Sequence, residues 1–202
     1  MKLQKWIVSI LSGVMLSAMV FSAQAGNQGG KRTYQTADLQ DFATDAFRAG
    51  AATLVRTRNE VWVNISSADL DPDSAYTVWW VVFNNPDECF GDCGLDDLGS
   101  PAVDAGVFYA AGFVTDLDGT ANASFHLKAG PPPEGADFLL DARGDGDGLD
   151  RGNGFGADIH LIVRTHEGLI PGRVAEQIGS FAGACDVNAC EDQQFAIFPA
   201  VD

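Results

Sequence analysis

Asp141, Asp145, Asp147 and Asp150 fall within one short stretch, interleaved with Gly144, Gly146 and Gly148. Calcium favours several hard oxygen ligands on a backbone free to curl around it, and this loop offers both. The pattern departs from the EF-hand: Leu149 stands where a ligand would be expected, and no glutamate closes the loop. The simpler reading is a solvated acidic loop, with calcium as the sharper one and the one cofactor the sequence suggests. Within the same loop Arg143-Gly144-Asp145 spells an adhesion tripeptide, a match that arises easily in so Gly- and Asp-rich a stretch.

Other residues capable of chemistry are few. Cys89, Cys93, Cys185 and Cys190 form two tight local pairs, and in an exported chain an even count points to disulfides. The spacing favours Cys89–Cys93 and Cys185–Cys190. Cross-linking of the two regions is the alternative, and a four-thiolate metal site is the functional rival. His160 and His166 lie six apart on one strand, on the same face but roughly 20 Å apart at about 3.3 Å per residue, too far to share a metal ion. His160 reads as a packed strand residue and His126 as a solvated one. No Gly-x-Ser-x-Gly elbow follows the leader, and cysteines in disulfides supply no nucleophile. Paired carboxylates for a hydrolase remain as an alternative function, because 28 acids always contain some suitable pair. Thus no catalytic residue is assigned.

Aromatic residues raise a different prospect. Trp79 and Trp80 are adjacent, so on a strand they face opposite ways, and Trp62 lies opposite the Val61/Val63/Ile65 face. Trp62, Trp79 and Trp80 are therefore candidate ligand-surface residues, of the kind that meet sugars or partner proteins. The competing reading covers the strand with the N-terminal segment or the 130–153 loop.

The elements that would position these residues are mostly strands. Val61, Val63 and Ile65 alternate with Trp62, Asn64 and Ser66. Tyr76 to Phe83 is an uninterrupted apolar run of strand length, the signature of a strand covered on both faces. Val107–Thr115 and Thr120–Lys128 flank Asp116-Leu-Asp-Gly119, which predicts a hairpin. Asp158–Thr165 and Gln194–Phe198 are further strands, with a brief helix or irregular turn near Val174–Phe181. Leu39, Phe42, Ala43, Ala46 and Phe47 fall at helical spacing, with Gly50 placed to end a short helix. Residues 130–153 read as loop.

Met1–Ala25 has the three parts of an export signal: Lys2 and Lys5, an apolar stretch, and Ala23-Gln24-Ala25 as cleavage site. Cleavage near Ala25 predicts a secreted or periplasmic protein with no membrane anchor in the mature chain. The formal charge of -16 deepens once those two lysines are removed, which excludes nucleic acid and disfavours anionic membranes.

The strings Tyr76-Thr-Val-Trp-Trp-Val-Val-Phe-Asn-Asn-Pro86 and Asp158-Ile-His-Leu-Ile-Val-Arg-Thr-His166, with Ile170-Pro-Gly172 and Ala175-Glu-Gln177, resemble secreted bacterial β-proteins of no assigned activity that carry paired local cysteines. The resemblance implies fold and compartment and carries over no functional residue. The expectation is an all-β, antiparallel, immunoglobulin-like sandwich over 51–202, after a signal peptide over 1–25 and a flexible leader with a short helix over 26–50. Its expected role is binding or structural rather than catalytic, with a protein or carbohydrate partner.

Overall fold

A computed structural model describes residues 30–132 and 138–201, with Phe138 described for its backbone alone. The expected signal peptide and the start of the leader lie outside the described residues. Among the described residues nine strands build the fold: β1 Thr33–Asp41, β2 Phe47–Arg56, β3 Glu60–Ser67, β4 Ser74–Phe83, β5 Ala105–Val114, β6 Ala121–Lys128, β7 Phe138–Asp141, β8 Asp158–Gly168 and β9 Glu191–Phe198. The only α-helix among the described residues is α1, Val174–Gln177. All strand pairs are antiparallel, in one sheet ordered β6-β3-β2-β1-β9-β8-β4-β5-β7.

The all-β, antiparallel class is as expected. In place of two separate immunoglobulin-like sheets, a single sheet curls over and packs on itself in a sandwich-like way. Side chains of alternate residues meet inside the curl: Val61, Val63 and Ile65 from β3, Val78, Trp80 and Val82 from β4, and Ile159, Leu161 and Val163 from β8. Trp80 reaches across to the Phe125 ring on β6, with ring centroids 5.1 Å apart.

β4 is buried along its whole length. Its second face is covered by two segments, each stapled by a local disulfide, Cys89–Cys93 and Cys185–Cys190. Val81 and Phe83 pack with Cys93 and Val103 of the first segment. Trp79 meets Phe181 of the second edge-on at 5.2 Å. The cover expected from the N-terminal segment or the 130–153 loop comes mainly from 86–104 and 169–190, with Leu140 and Ala142 of the 130–153 stretch and Phe42 of the N-terminal segment contributing beside them.

Three local expectations are corrected. The apolar stripe from Leu39 to Phe47 is not a helix but the β1–β2 hairpin. Phe47 is left exposed, so no partner rewards a helical stripe, and Asp41 instead closes a tight turn by accepting the Ala43 N–H at 3.1 Å and the Thr44 hydroxyl at 2.7 Å. Arg48 pairs with the same carboxylate. The Asp116–Gly119 turn forms, since the Asp116 carbonyl accepts the Gly119 N–H at 3.1 Å, but β5 and β6 do not pair. The turn is anchored on the β3–β4 connection, where the Thr115 hydroxyl donates to Asp71 O at 2.7 Å and Leu70 N–H to Gly119 O at 3.2 Å. This docking sends β6 to β3 while β5 stays beside β4. Finally, 130–153 is not wholly loop: β7 forms a four-residue edge strand on β5, too short to stand out between proline and glycine.

Arg56 closes the curl at one end. Fully buried, it donates to main-chain carbonyls of Gly154 (3.1 Å), Ala157 (2.8 Å), Phe198 (2.7 Å) and Pro199 (3.1 Å), and to Oε1 of Gln35 at 2.5 Å. Burial draws its pKa down to about 10, so it stays charged at neutral pH. One side chain thus joins β2, the loop before β8 and the end of β9. Arg56→Met keeps much of the volume but leaves those carbonyls unpaired, and should lower the unfolding free energy by about 3 kcal/mol in urea titrations. A loss below about 1 kcal/mol would show that the network contributes little.

Candidate functional site

The acidic loop folds around an arginine. Asp141 accepts the N–H groups of Gly144 at 2.5 Å and Gly146 at 2.7 Å, and Asp145 accepts that of Asp147 at 3.0 Å. Both glycines adopt positive φ (+77° each), which lets the chain curl back on Asp141. Of the four aspartates singled out for calcium, Asp145 and Asp150 converge, and they do so with Asp104, their carboxylate oxygens lying within 4.8 Å of one another. Asp141 and Asp147 are not in that group. The Arg143 guanidinium sits among the three carboxylates, 2.8 Å from Asp104, 3.6 Å from Asp145 and 3.7 Å from Asp150.

Asp104 is the unusual member. It is buried at positive φ (+57°), and its Oδ2 lies near Arg143 yet makes no aligned hydrogen bond. Burial raises its pKa to about 6, opposed by Arg143 and reinforced by Asp150, Asp145 and Asp141. A hydrolase would use such a buried acid opposite a second carboxylate, and that pairing is present in part. The Arg143 guanidinium, however, is the group these carboxylates face. Calcium would have to displace Arg143 before the carboxylates could serve it.

His166 belongs to a fully satisfied chain of hydrogen bonds. Trp79 Nε1 donates to the Thr77 hydroxyl at 2.9 Å, which lies 3.0 Å from His166 Nε2, while Nδ1 lies 2.9 Å from Gly183 O. The Gly183 carbonyl can only accept, so Nδ1 carries the proton and Thr77 donates to Nε2. Burial, the largest cause, lowers the His166 pKa, in keeping with a neutral ring. Cys185 and Cys190 lie beside this ring, but joined to each other they offer no thiolates for a metal.

The third constellation is a groove of about 310 Å³ on the outer face of β4, β8 and β9. Its floor is Val81, His160, Ile162 and Ile197, and its walls include Phe42 and Phe195, whose rings meet edge-on with centroids 6.1 Å apart. Cys93 and the residues that follow the Cys89–Cys93 disulfide form one bank, through Leu95 and Leu98. The imidazole of His160 leans on Phe83, centroids 4.9 Å apart, and its buried Nε2 has no hydrogen-bond partner. Burial lowers the His160 pKa to about 4.

Of the three tryptophans considered as a ligand surface, the two on β4 are covered. Trp79 and Trp80 are 1% and 2% exposed, one beneath Phe181 and the other inside the curl, and only Trp62 keeps part of its surface on the outside. His126 faces outward near Glu60, at 3.7 Å. Sequence reasoning passed over the groove, although its signal was present: Ile159-His-Leu-Ile-Val163 and Phe195-Ala-Ile-Phe198 are apolar on both faces, and the covering segments roof only part of the outer one. No family model, curated protein or solved structure matches this chain.

The acidic cluster makes a signed prediction. An unfolded Asp104 releases its proton near 3.8, whereas the folded one holds it to about 6. Its stabilising contribution is therefore complete below about pH 4 and lost as pH rises to about 6. Asp104→Asn should gain on the wild type by about 1 kcal/mol between pH 4 and pH 7, a figure discounted for the solvent that reaches this loop. Urea titrations across that range check it, and a difference that is flat or of opposite slope would contradict it.

Proposed function

We propose that the protein is an exported, non-catalytic binding module that holds an apolar ligand in the groove over β4, β8 and β9. The observation that carries this reading is a concave groove lined by Phe42, Phe83, Phe195 and aliphatic side chains. Ligand sites commonly combine a largely apolar lining with a few placed polar groups, in volumes upward of about 300 Å³. The remaining reactive groups are engaged elsewhere: His166 in its hydrogen-bond chain, the cysteines in disulfides, and Asp104, Asp145 and Asp150 around Arg143. Two disulfides support an oxidising compartment, and among the described residues no helix is long and apolar enough to cross a membrane. A rigid sheet floor with a stapled bank also favours a preformed site over one that must be ordered on binding.

A neutral fluorescent probe, N-phenyl-1-naphthylamine, tests the reading. Its emission should rise on mixing with the oxidised protein. Leu95→Glu and Ile197→Glu lie at exposed positions and should each weaken binding at least about fivefold, since each sets a charge beside the apolar lining. Leu117→Glu, on the distant β5–β6 turn, should leave it unchanged. Binding insensitive to the first two substitutions, or no binding, would remove the groove as the site.

A further inference from the structure

We infer that the turn between β2 and β3 carries a second site, separate from the apolar groove, which takes a small soluble anion built on a phosphate or pyrophosphate group. After the expected leader the chain holds ten basic residues, the 12 of the whole sequence less Lys2 and Lys5. Arg48, Arg143, Arg164 and Arg173 are ion-paired, and Arg56 is buried on main-chain carbonyls. Arg32, Arg58 and Lys128 instead line one open recess of about 660 Å³, together with Lys31. Arg151 stands next to it, its guanidinium beside Gly130. Among the described residues, Arg32, Arg58, Lys128 and Arg151 make no ion pair and no side-chain hydrogen bond, and all four are exposed. In a chain with 28 acids, unpaired cations gathered in one place repel one another, and an anion among them would relieve that repulsion.

The lining keeps carboxylates away from these cations. Glu60 is the one acid in it. It stands opposite Lys128 in the β3–β6 register, yet its Oε1 lies toward His126 Nε2 at 3.7 Å and makes no ion pair with Lys128. The turn is also held in place. The Arg58 carbonyl accepts the Gly154 N–H at 2.9 Å and the Asn59 carbonyl accepts the Ala129 N–H at 2.8 Å, which clamps the turn between the end of β6 and the loop before β8. Gly154 approaches so closely that a β-carbon there would strike the Thr57 carbonyl. The Asn59 Oδ1 accepts the Gly152 N–H at 2.9 Å, leaving the amide NH2 as a further donor at the lining. Phe155 adds an aromatic wall, with Lys31 Nζ 5.1 Å from its ring centroid.

Charge and shape narrow the ligand. A phosphate monoester carries about −1.5 to −2 near neutral pH on oxygens that splay apart, so cations reaching in from separate chain segments serve it better than they serve a planar, singly charged carboxylate. An extended polyanion is disfavoured, because the chain as a whole carries -16 and a local patch dominates only within a screening length of roughly 8 Å. The recess therefore suits a free small molecule over a nucleic acid or an anionic membrane.

Calorimetric titration of the oxidised protein with pyrophosphate, at neutral pH and low ionic strength, tests the assignment. Pyrophosphate should bind at least about tenfold more tightly than acetate, and added salt should weaken it. Arg58→Gln and Lys128→Gln, at exposed positions, should each weaken it at least about threefold while melting as the wild type does. Should either variant destabilise the fold, Arg32→Gln and Arg151→Gln, on other segments of the chain, should show the same loss. Arg173→Gln removes an equal charge outside the recess and should change binding less than about twofold. No pyrophosphate binding, acetate binding as tight as pyrophosphate binding, or a loss in Arg173→Gln equal to that in Arg58→Gln would overturn the site. Tighter binding of single-stranded DNA or of phosphatidate vesicles than of pyrophosphate would overturn the small-molecule assignment.

Discussion

Strand β4 has no face to spare for water, and the architecture follows from covering it. Tyr76, Val78, Trp80 and Val82 point into the curl, while Thr77, Trp79, Val81 and Phe83 point out. The inward set is enclosed by the sheet bending over itself. The outward set needs additional chain, and a β-domain of this size has only its connections to offer. Two long connections supply it, 86–104 and 169–190, neither with much regular structure of its own. Each is held in shape by a short-range disulfide, which limits how far an irregular cover can open. Close approach matters as well: Gly112 on β5 lies directly beneath Ile178, where any β-carbon would collide with the Ile178 carbonyl. The groove exists because two covers do not quite meet the needs of three adjacent strands.

Arginines organise the acidic remainder. Arg48 ties Asp41 to Asp69 at the β1–β2 turn, and Arg143 gathers Asp104, Asp145 and Asp150. Arg164 pairs with Asp192, donates to the carbonyls of Phe181 and Cys190, and lies 3.9 Å from the Phe181 ring centroid. Arg173 joins Glu176 to Asp186 within the second cover. The more exposed of these pairs, Arg48–Asp69 and those of Arg173, contribute little individually. Their placement at the bases of loops makes them positional: each sets where an irregular segment leaves or rejoins the sheet. In a chain so rich in acid, a guanidinium at the centre of three carboxylates also fills the position that composition alone would give to a metal ion.

Much of the fold was legible because period-two alternation and turn chemistry are local. β3, β4, β8 and β9 emerge from apolar spacing, and the cysteine spacing favoured the pairs that form. What remained hidden depends on contacts distant in sequence. Nothing near Asp116-Leu-Asp-Gly119 reveals that Thr115 will bond to Asp71 and so part β5 from β6. Nothing near Arg56 announces acceptors some hundred residues away. The stripe from Leu39 to Phe47 fits a helix as well as it fits a hairpin, and pairing with β3 and β9 decides between them. Adjacent tryptophans had to face opposite ways, yet whether either would be exposed was a question about Phe181 and Phe125. The site was least legible of all: His160 and Phe195 look like strand interior until the covers are placed.

The central claim is that β4 is the doubly covered spine of the molecule, and native-state hydrogen exchange on the oxidised protein tests it most directly. The amides of Val78 to Val82 should exchange only through global unfolding, with protection matching the free energy from denaturant titration, while edge strands β6 and β7 exchange through smaller openings. Exchange of the β4 amides as fast as that of the edge strands would contradict the account, since a strand buried on both faces cannot open ahead of its own periphery.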